Sequence, residues 1–203
     1  MARYEPKDAG YRRAKKAGYR SRAAIKLEDI DRRHRLLRPG QTILDLGCWP
    51  GGWTQVASQR VGDQGRVVCV DTETVEPFGA ANVISVTGDV SDPEVQRELA
   101  DALGGQAHLV MSDMASKLSG IAATDRARHE MLVELAVRVA GRVLGQGGDL
   151  LVKLFSDSEG WFRQTTGEGF DRTVTFRPAS IPCASIAGRF CRWRRLRASV
   201  TFA

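Results

Sequence analysis

Acidic side chains stand at or near the ends of four short apolar runs, at Asp45, Asp71, Asp89 and Asp113, and Lys153 lies inside a fifth, Leu-Leu-Val-Lys-Leu-Phe. A lysine within an apolar run costs several kcal/mol unless it is paired or borders a wet cleft. Asp113, which ends the preceding run, is its natural partner; a structural ion pair at a sheet edge is the plainer alternative. Between Asp45 and the next helical pattern the chain reads Leu46-Gly47-Cys48-Trp49-Pro50-Gly51-Gly52-Trp53. Such a glycine-rich turn lets backbone come close to a ligand. Its spacing is neither the Gly-x-Gly-x-x-Gly of a dinucleotide loop nor the Gly-Lys-Ser/Thr of a triphosphate loop. No phosphate cradle is read here, and a dehydrogenase is disfavoured.

The elements that must position these residues alternate. Thr42 to Leu46, Arg66 to Val70, Val83 to Val86, Ala107 to Met111 and Asp149 to Phe155 read as strands, with helices over Gly52 to Val61, Pro93 to Leu103 and residues 124 to 144. On the last of these, Met131, Leu132, Leu135, Val139 and Val143 share one face. Residues 157 to 166 read as a short helix and Arg172 to Arg177 as a strand. Strand–helix alternation argues for an α/β domain with a mostly parallel sheet. In such sheets ligands bind at the carboxyl ends of the strands, so the acidic residues are expected to converge on one crevice. Acidic groups around a glycine turn suit a cationic, hydroxyl-rich ligand. S-adenosylmethionine has both features: Asp71 would take the ribose hydroxyls, Asp89 the adenine amino group and the turn the amino-acid end. Helix capping by aspartate is the structural alternative for each.

Upstream, residues 8 to 20 interleave basic residues with Tyr11 and Tyr19 and offer little for a core, so residues 1 to 20 read as a basic arm and 21 to 203 as a single domain. Ser21 stands at an N-cap position before a helix from Arg22 to Arg35. Charge is segregated: residues 1 to 40 hold 13 Lys and Arg against 5 Asp and Glu, residues 41 to 170 hold 10 against 18, and residues 171 to 203 hold 7 against 1. Two basic ends meeting on one face would bind a polyanion. Lys15, Lys16, Arg20, Arg22, Arg32 and Arg33 are the candidate polyanion track, helped by the C-terminal arginines. No apolar run approaches the roughly 18 to 20 residues that span a bilayer, and the four cysteines have no metal-ligand spacing. A cytoplasmic monomer without a metal is expected, with Cys48 and Cys69 as core residues. The last 25 residues are harder to read: Ile186 to Trp193 or Ala198 to Phe202 could be a strand.

The stretch Tyr19 to Leu27, then Asp45-Leu46-Gly47-x-x-Pro50-Gly51-Gly52-Trp53, Gly88-Asp89, Met111-Ser112-Asp113-Met114-Ala115 and Val152-Lys153-Leu154-Phe155 resembles the FtsJ/RrmJ ribosomal RNA ribose 2′-O-methyltransferases. The resemblance runs in register from about residue 8 to 178. It implies a Rossmann-like methyltransferase fold with a seven-stranded, mostly parallel sheet, S-adenosylmethionine as donor, and methylation of a uridine ribose 2′-hydroxyl in large-subunit ribosomal RNA. It places cofactor binding on Gly51, Trp53, Asp71, Asp89 and Asp113, and catalysis on Lys26, Asp113 and Lys153. In that family the three act with a glutamate near the C-terminus. Here no Asp or Glu follows Asp171, and Ala187 stands roughly where the glutamate is due. Two alternatives follow: transfer RNA or another RNA as the methyl acceptor, or an RNA-binding assembly factor with impaired catalysis.

Overall fold

The computed structural model describes residues 9–155, 158–166, 170–176 and 187–196. In chain order the elements are α1 (Ala9–Lys16), α2 (Ala23–His34), β1 (Thr42–Leu46), α3 (Gly52–Val61), β2 (Arg66–Asp71), β3 (Val83–Thr87) and α4 (Pro93–Leu103). There follow β4 (Ala107–Ser112), α5 (Ala122–Val143), β5 (Leu144–Phe155), α6 (Glu159–Thr166), β6 (Phe170–Phe176) and β7 (Ala187–Leu196). The seven strands lie in one sheet in the order β3-β2-β1-β4-β5-β7-β6. The first five are parallel, and β7 runs antiparallel to both β5 and β6. The order of strand addition reverses between β1 and β4, which opens a crevice outside their carboxyl ends.

Central parallel strands are covered on both faces, which is why β1, β2 and β4 read as near-continuous apolar runs. Leu44, Leu46, Val68, Val70, Val110, Leu150 and Val152 pack under α4, α5 and α6 on one face. Ile43, Val67, Leu109, Met111 and Leu151 pack under α2 and α3 on the other. Asp92 caps α4 by accepting from the Glu94 amide, with Pro93 in the first turn.

Four local features differ from the sequence expectation. Residues 9–16, read as part of an arm, form a helix, and its Ala14 is buried. Ser21 does not cap α2: Arg22 occupies that position with no side-chain bond. On α5 the buried stripe is Asp125, His129, Val133, Ala136, Val137, Val139 and Ala140, while Met131 is 67% exposed. Of the expected face, Val139 is buried and Leu135 and Val143 pack against the core, but four of the seven buried residues are small or polar, so apolarity alone set the stripe too far toward Met131. Finally β5 begins at Leu144, five residues early: Leu144 pairs with Ala107, and the register slips before Leu109 meets Asp149, which puts Gly147 and Gly148 in a bulge. In the tail, the first of the two candidate strands corresponds to β7; residues 198 to 202 lie outside the described residues.

Candidate active site

Three charged side chains meet at the crevice. Asp113 directly follows β4, Lys153 comes from the carboxyl-terminal part of β5, and Lys26 reaches in from the first half of α2. Lys153 Nζ donates a 2.7 Å hydrogen bond to the Asp113 carbonyl and meets Asp113 Oδ1 as an ion pair at 2.8 Å. Lys26 Nζ lies 3.6 Å from Asp113 Oδ2. One carboxylate therefore sits between two ammonium groups. The Lys153 side chain is only 7% exposed, so its charge is tolerable because it is both paired and hydrogen-bonded. The backbone of β5 is itself held there: the His129 ring nitrogen Nε2 lies 3.1 Å from the Lys153 carbonyl, and the ring stacks on Phe155 with centroids 4.1 Å apart.

The glycine turn forms the neighbouring wall. Gly51 ends the loop in a left-handed conformation (φ 107°) just before α3, and the Trp49–Pro50 peptide is cis. A Cβ on Gly51 would stand 2.7 Å from the Phe78 ring, one on Gly47 would run into Met114, and one on Gly52 would run into Ser21 Oγ. The loops after β1, β2 and β4 thus close on a glycine surface that admits no side chain.

Asp71 ends β2, where its Oδ2 accepts from the Trp49 amide at 2.8 Å and its Oδ1 from the Glu73 amide at 3.0 Å. Asp89 follows β3 and accepts from the Ser91 amide at 2.8 Å, and that bond with the Ser91 side chain holds its carboxyl below the usual range. Two sequence expectations change here. Asp45 does not reach the crevice: it is 1% exposed, bonded to Thr54 Oγ1 at 2.6 Å, and burial pushes its carboxyl up to about 8. The Trp53 side chain is 3% exposed and donates from Nε1 to the Ala23 carbonyl, so the indole braces α2 and only backbone at the start of α3 faces the turn.

Arg20 also departs from its expected role on an RNA track. Its guanidinium donates to the carbonyls of Glu76 and Pro77, both at 2.6 Å, and lies 4.0 Å over the Phe78 ring. It latches the segment before α2 to the loop after β2. Gln55 adds a second tie, accepting from the Arg20 amide and donating to the Gly18 carbonyl. The C-terminal arginines of that track fall outside the described side chains.

Sequence reasoning missed His129, Asp125 and Trp49. Asp125 accepts from the Ser119 amide and hydroxyl and the Gly120 amide, which fixes the loop leading into α5; these bonds hold its carboxyl below the usual range. Trp49 is 58% exposed beside Asp71. An aromatic next to the glycine turn was the only available sign for it; nothing in the sequence singles out His129, whose partner is a backbone carbonyl 24 residues away.

A doubly wound sheet, an acidic crevice at its switch point and a glycine turn over α3 define a Rossmann-like, S-adenosylmethionine-dependent methyltransferase. Solved structures share the fold. A Plasmodium falciparum protein assigned as a ribosomal RNA methyltransferase superposes with a TM-score of 0.77 at 22% identity, over 88% of this chain and 98% of that one. Aeropyrum pernix fibrillarin with bound S-adenosyl-L-methionine gives 0.61 at 19% identity, over 86% and 75%.

The chain belongs to the FtsJ-like methyltransferase family, whose model matches residues 19–185. Proteins named ribosomal RNA large subunit methyltransferase E are 45% identical in Acidithiobacillus ferrooxidans, over 85% of this chain and 78% of the relative. The corresponding figures are 47%, 80% and 80% in Azoarcus sp. and 44%, 75% and 72% in Methanothermobacter thermautotrophicus. The crevice fits the donor of that family. Glycine surface replaces side chains at the turn, and Ser21 Oγ is buried beside Gly52 without a hydrogen-bond partner among the described residues. Asp71 and Asp89 stand at successive strand ends as acceptors for hydroxyl and amino groups.

Proposed function

We propose that this protein transfers a methyl group from S-adenosylmethionine to a uridine ribose 2′-hydroxyl of large-subunit ribosomal RNA, as a cytoplasmic enzyme. The observation that carries this reading is the Lys26–Asp113–Lys153 cluster at the switch point, with a nearly buried lysine held by both the carboxylate and the carbonyl of one aspartate. The names of the relatives supply the acceptor.

S-adenosylmethionine, when bound, supplies an electrophilic methyl on a sulfonium with a good leaving group. What remains for the chain is alignment of a ribose hydroxyl and control of its proton. Lys153 takes the 2′-hydroxyl proton as a neutral amine, or as an ammonium donates to the 2′-oxygen while that proton passes to solvent. Asp113 holds the Lys153 nitrogen through both its carboxylate and its carbonyl, which limits where it can point. Lys26 presents a second cation 3.6 Å from the same carboxylate and holds the ribose from the α2 side. Gly51, the start of α3 at Trp53, Asp71 and Asp89 would hold the donor, and Asp113 would favour its positive charge.

Tritiated methyl transfer onto undermethylated large ribosomal subunits, run beside transfer RNA, tests this reading. Label is expected in the subunit RNA; label in transfer RNA alone would replace the acceptor. One observation favours a second reading, an RNA-binding assembly factor: no Asp or Glu follows Asp171, and β7, where the family's glutamate is due, starts two residues beyond the family match. Donor binding without a single turnover on those subunits would establish it.

A further inference from the structure

A second charged feature lies away from the crevice. Helix α2 carries Lys26 near one end, and its other end, about 13 Å along the axis, borders an open recess of about 510 Å³. Arg13, Arg32, Arg35, Arg38 and Arg60 line it, with Glu28, Asp31 and Leu37. It lies toward the amino-terminal end of β1, the pole opposite the crevice, where Gly40 bonds to Val61.

Its carboxylates do not neutralise it. Asp31 is buried and turns inward: its Oδ1 accepts from the Leu37 amide at 2.8 Å, and its carbonyl accepts from the Arg35 amide at 2.7 Å. Those bonds fold the chain back after α2 and put Arg35 and Arg38 on the rim. Asp31 meets Arg60 at 3.7 Å and Glu28 meets Arg13 at 3.8 Å, with both guanidinium groups more than half exposed; pairs of that kind are weak. Arg32 pairs with Asp29. The guanidinium groups of Arg35 and Arg38 have no ion pair among the described residues.

Arg35 sharpens the point. It closes α2 at φ 49°, and it is the one described non-glycine residue with positive φ. Glycine is the cheap residue at such a helix end. An arginine held there spends conformational strain on placing a cation in the recess. Concave, unmatched guanidinium groups present planar pairs of donors that fit phosphate oxygens.

We propose that this recess is a second RNA-binding site, which grips backbone phosphates of the acceptor a few nucleotides from the ribose held at Lys26. This rests on the RNA-methylating reading above. It makes α2 a ruler between the reacting nucleotide and an anchored phosphate, with Arg35 and Arg38 as the principal contacts.

The test is the salt dependence of binding to unmodified large-subunit ribosomal RNA transcribed in vitro, for wild type and for Arg35→Gly combined with Arg38→Gln. Glycine at position 35 relieves the left-handed strain, so the melting temperature is expected not to fall. Loss of two phosphate contacts is expected to reduce the slope of log K against log salt by about 1.4 to 1.8, with donor affinity unchanged and the cost in turnover falling on KM for RNA rather than kcat. A slope and affinity equal to wild type would overturn the proposal. Lys153→Ala, measured alongside, is expected to lose turnover but keep the wild-type slope. A wild type that never methylates undermethylated large subunits would count against the functional reading, while the slopes still decide the recess.

Discussion

Asp45 and Asp113 are both carboxylates near strand ends, and solvent decides what each can do. Asp113 keeps access to the crevice and to two lysines; Asp45 is sealed beneath the glycine turn with Thr54. The folded protein therefore holds a proton on Asp45 up to about pH 8, which the unfolded chain releases near pH 4. Above pH 4 the unfolded state binds fewer protons, so this group lowers stability as pH rises from about 4 to about 8, by up to about 1.4 kcal/mol per unit. Asp45→Asn keeps an acceptor for Thr54 and removes the titration. Urea midpoints across pH 5 to 8 should fall more steeply for wild type than for the variant; parallel curves would mean that Asp45 is ionised in the fold. The pairing of Lys153 with Asp113 was legible because a lysine in an apolar run needs a partner. Lys26 came only from the resemblance: it sits on a helix among other charges, and nothing local distinguishes it. His129 was illegible for the same reason, since its partner is a backbone carbonyl.

At the scale of elements, the segment before α2 does structural work that composition concealed. Basic residues between tyrosines read as a solvated arm, yet Tyr19 donates to Glu28 at 2.7 Å, and burial, aided by that bond, pushes its phenol up to about 12. Arg20 crosses to the loop after β2 and closes Phe78 over Gly51. Removing two charged hydrogen bonds and a cation–π contact, all partly exposed, costs about 1 to 2 kcal/mol of loop order. Arg20→Ala is thus expected to weaken S-adenosylmethionine binding about fivefold to thirtyfold by calorimetry, with the RNA salt slope unchanged. A lowered slope with intact donor affinity would return Arg20 to the RNA track. Strand ends and the helices α3 and α4 were readable from apolar runs and turn residues. The face of α5 was readable only in part: Leu135, Val139 and Val143 meet the core as expected, while Asp125, His129, Ala136 and Ala140 turn inward for reasons set by the loop and β5. The bulge in β5 was not readable, because a glycine pair looks like the end of an element.

Taken whole, the molecule places an acidic, glycine-lined crevice at the switch point and a cationic helical layer, α1 and α2, beside it. Of the two basic ends in the sequence, the first supplies this layer; the basic side chains of the second lie outside the described residues. The order of the strands did not follow from their sequence positions: β7 lies between β5 and β6, and long-range pairing of that kind leaves no local trace. Because no acidic residue follows Asp171, catalysis rests on Lys153, Asp113 and Lys26, without a carboxylate from β7 as a fourth group. The most direct test is single-turnover methyl transfer to undermethylated large ribosomal subunits by wild type and Lys153→Ala, with donor binding measured in parallel. Wild type is expected to methylate the subunit RNA, and Lys153→Ala to be slower by at least about a hundredfold, with donor affinity within about threefold of wild type. Turnover by Lys153→Ala within tenfold of wild type, or no turnover by either protein despite tight donor binding, would contradict the account.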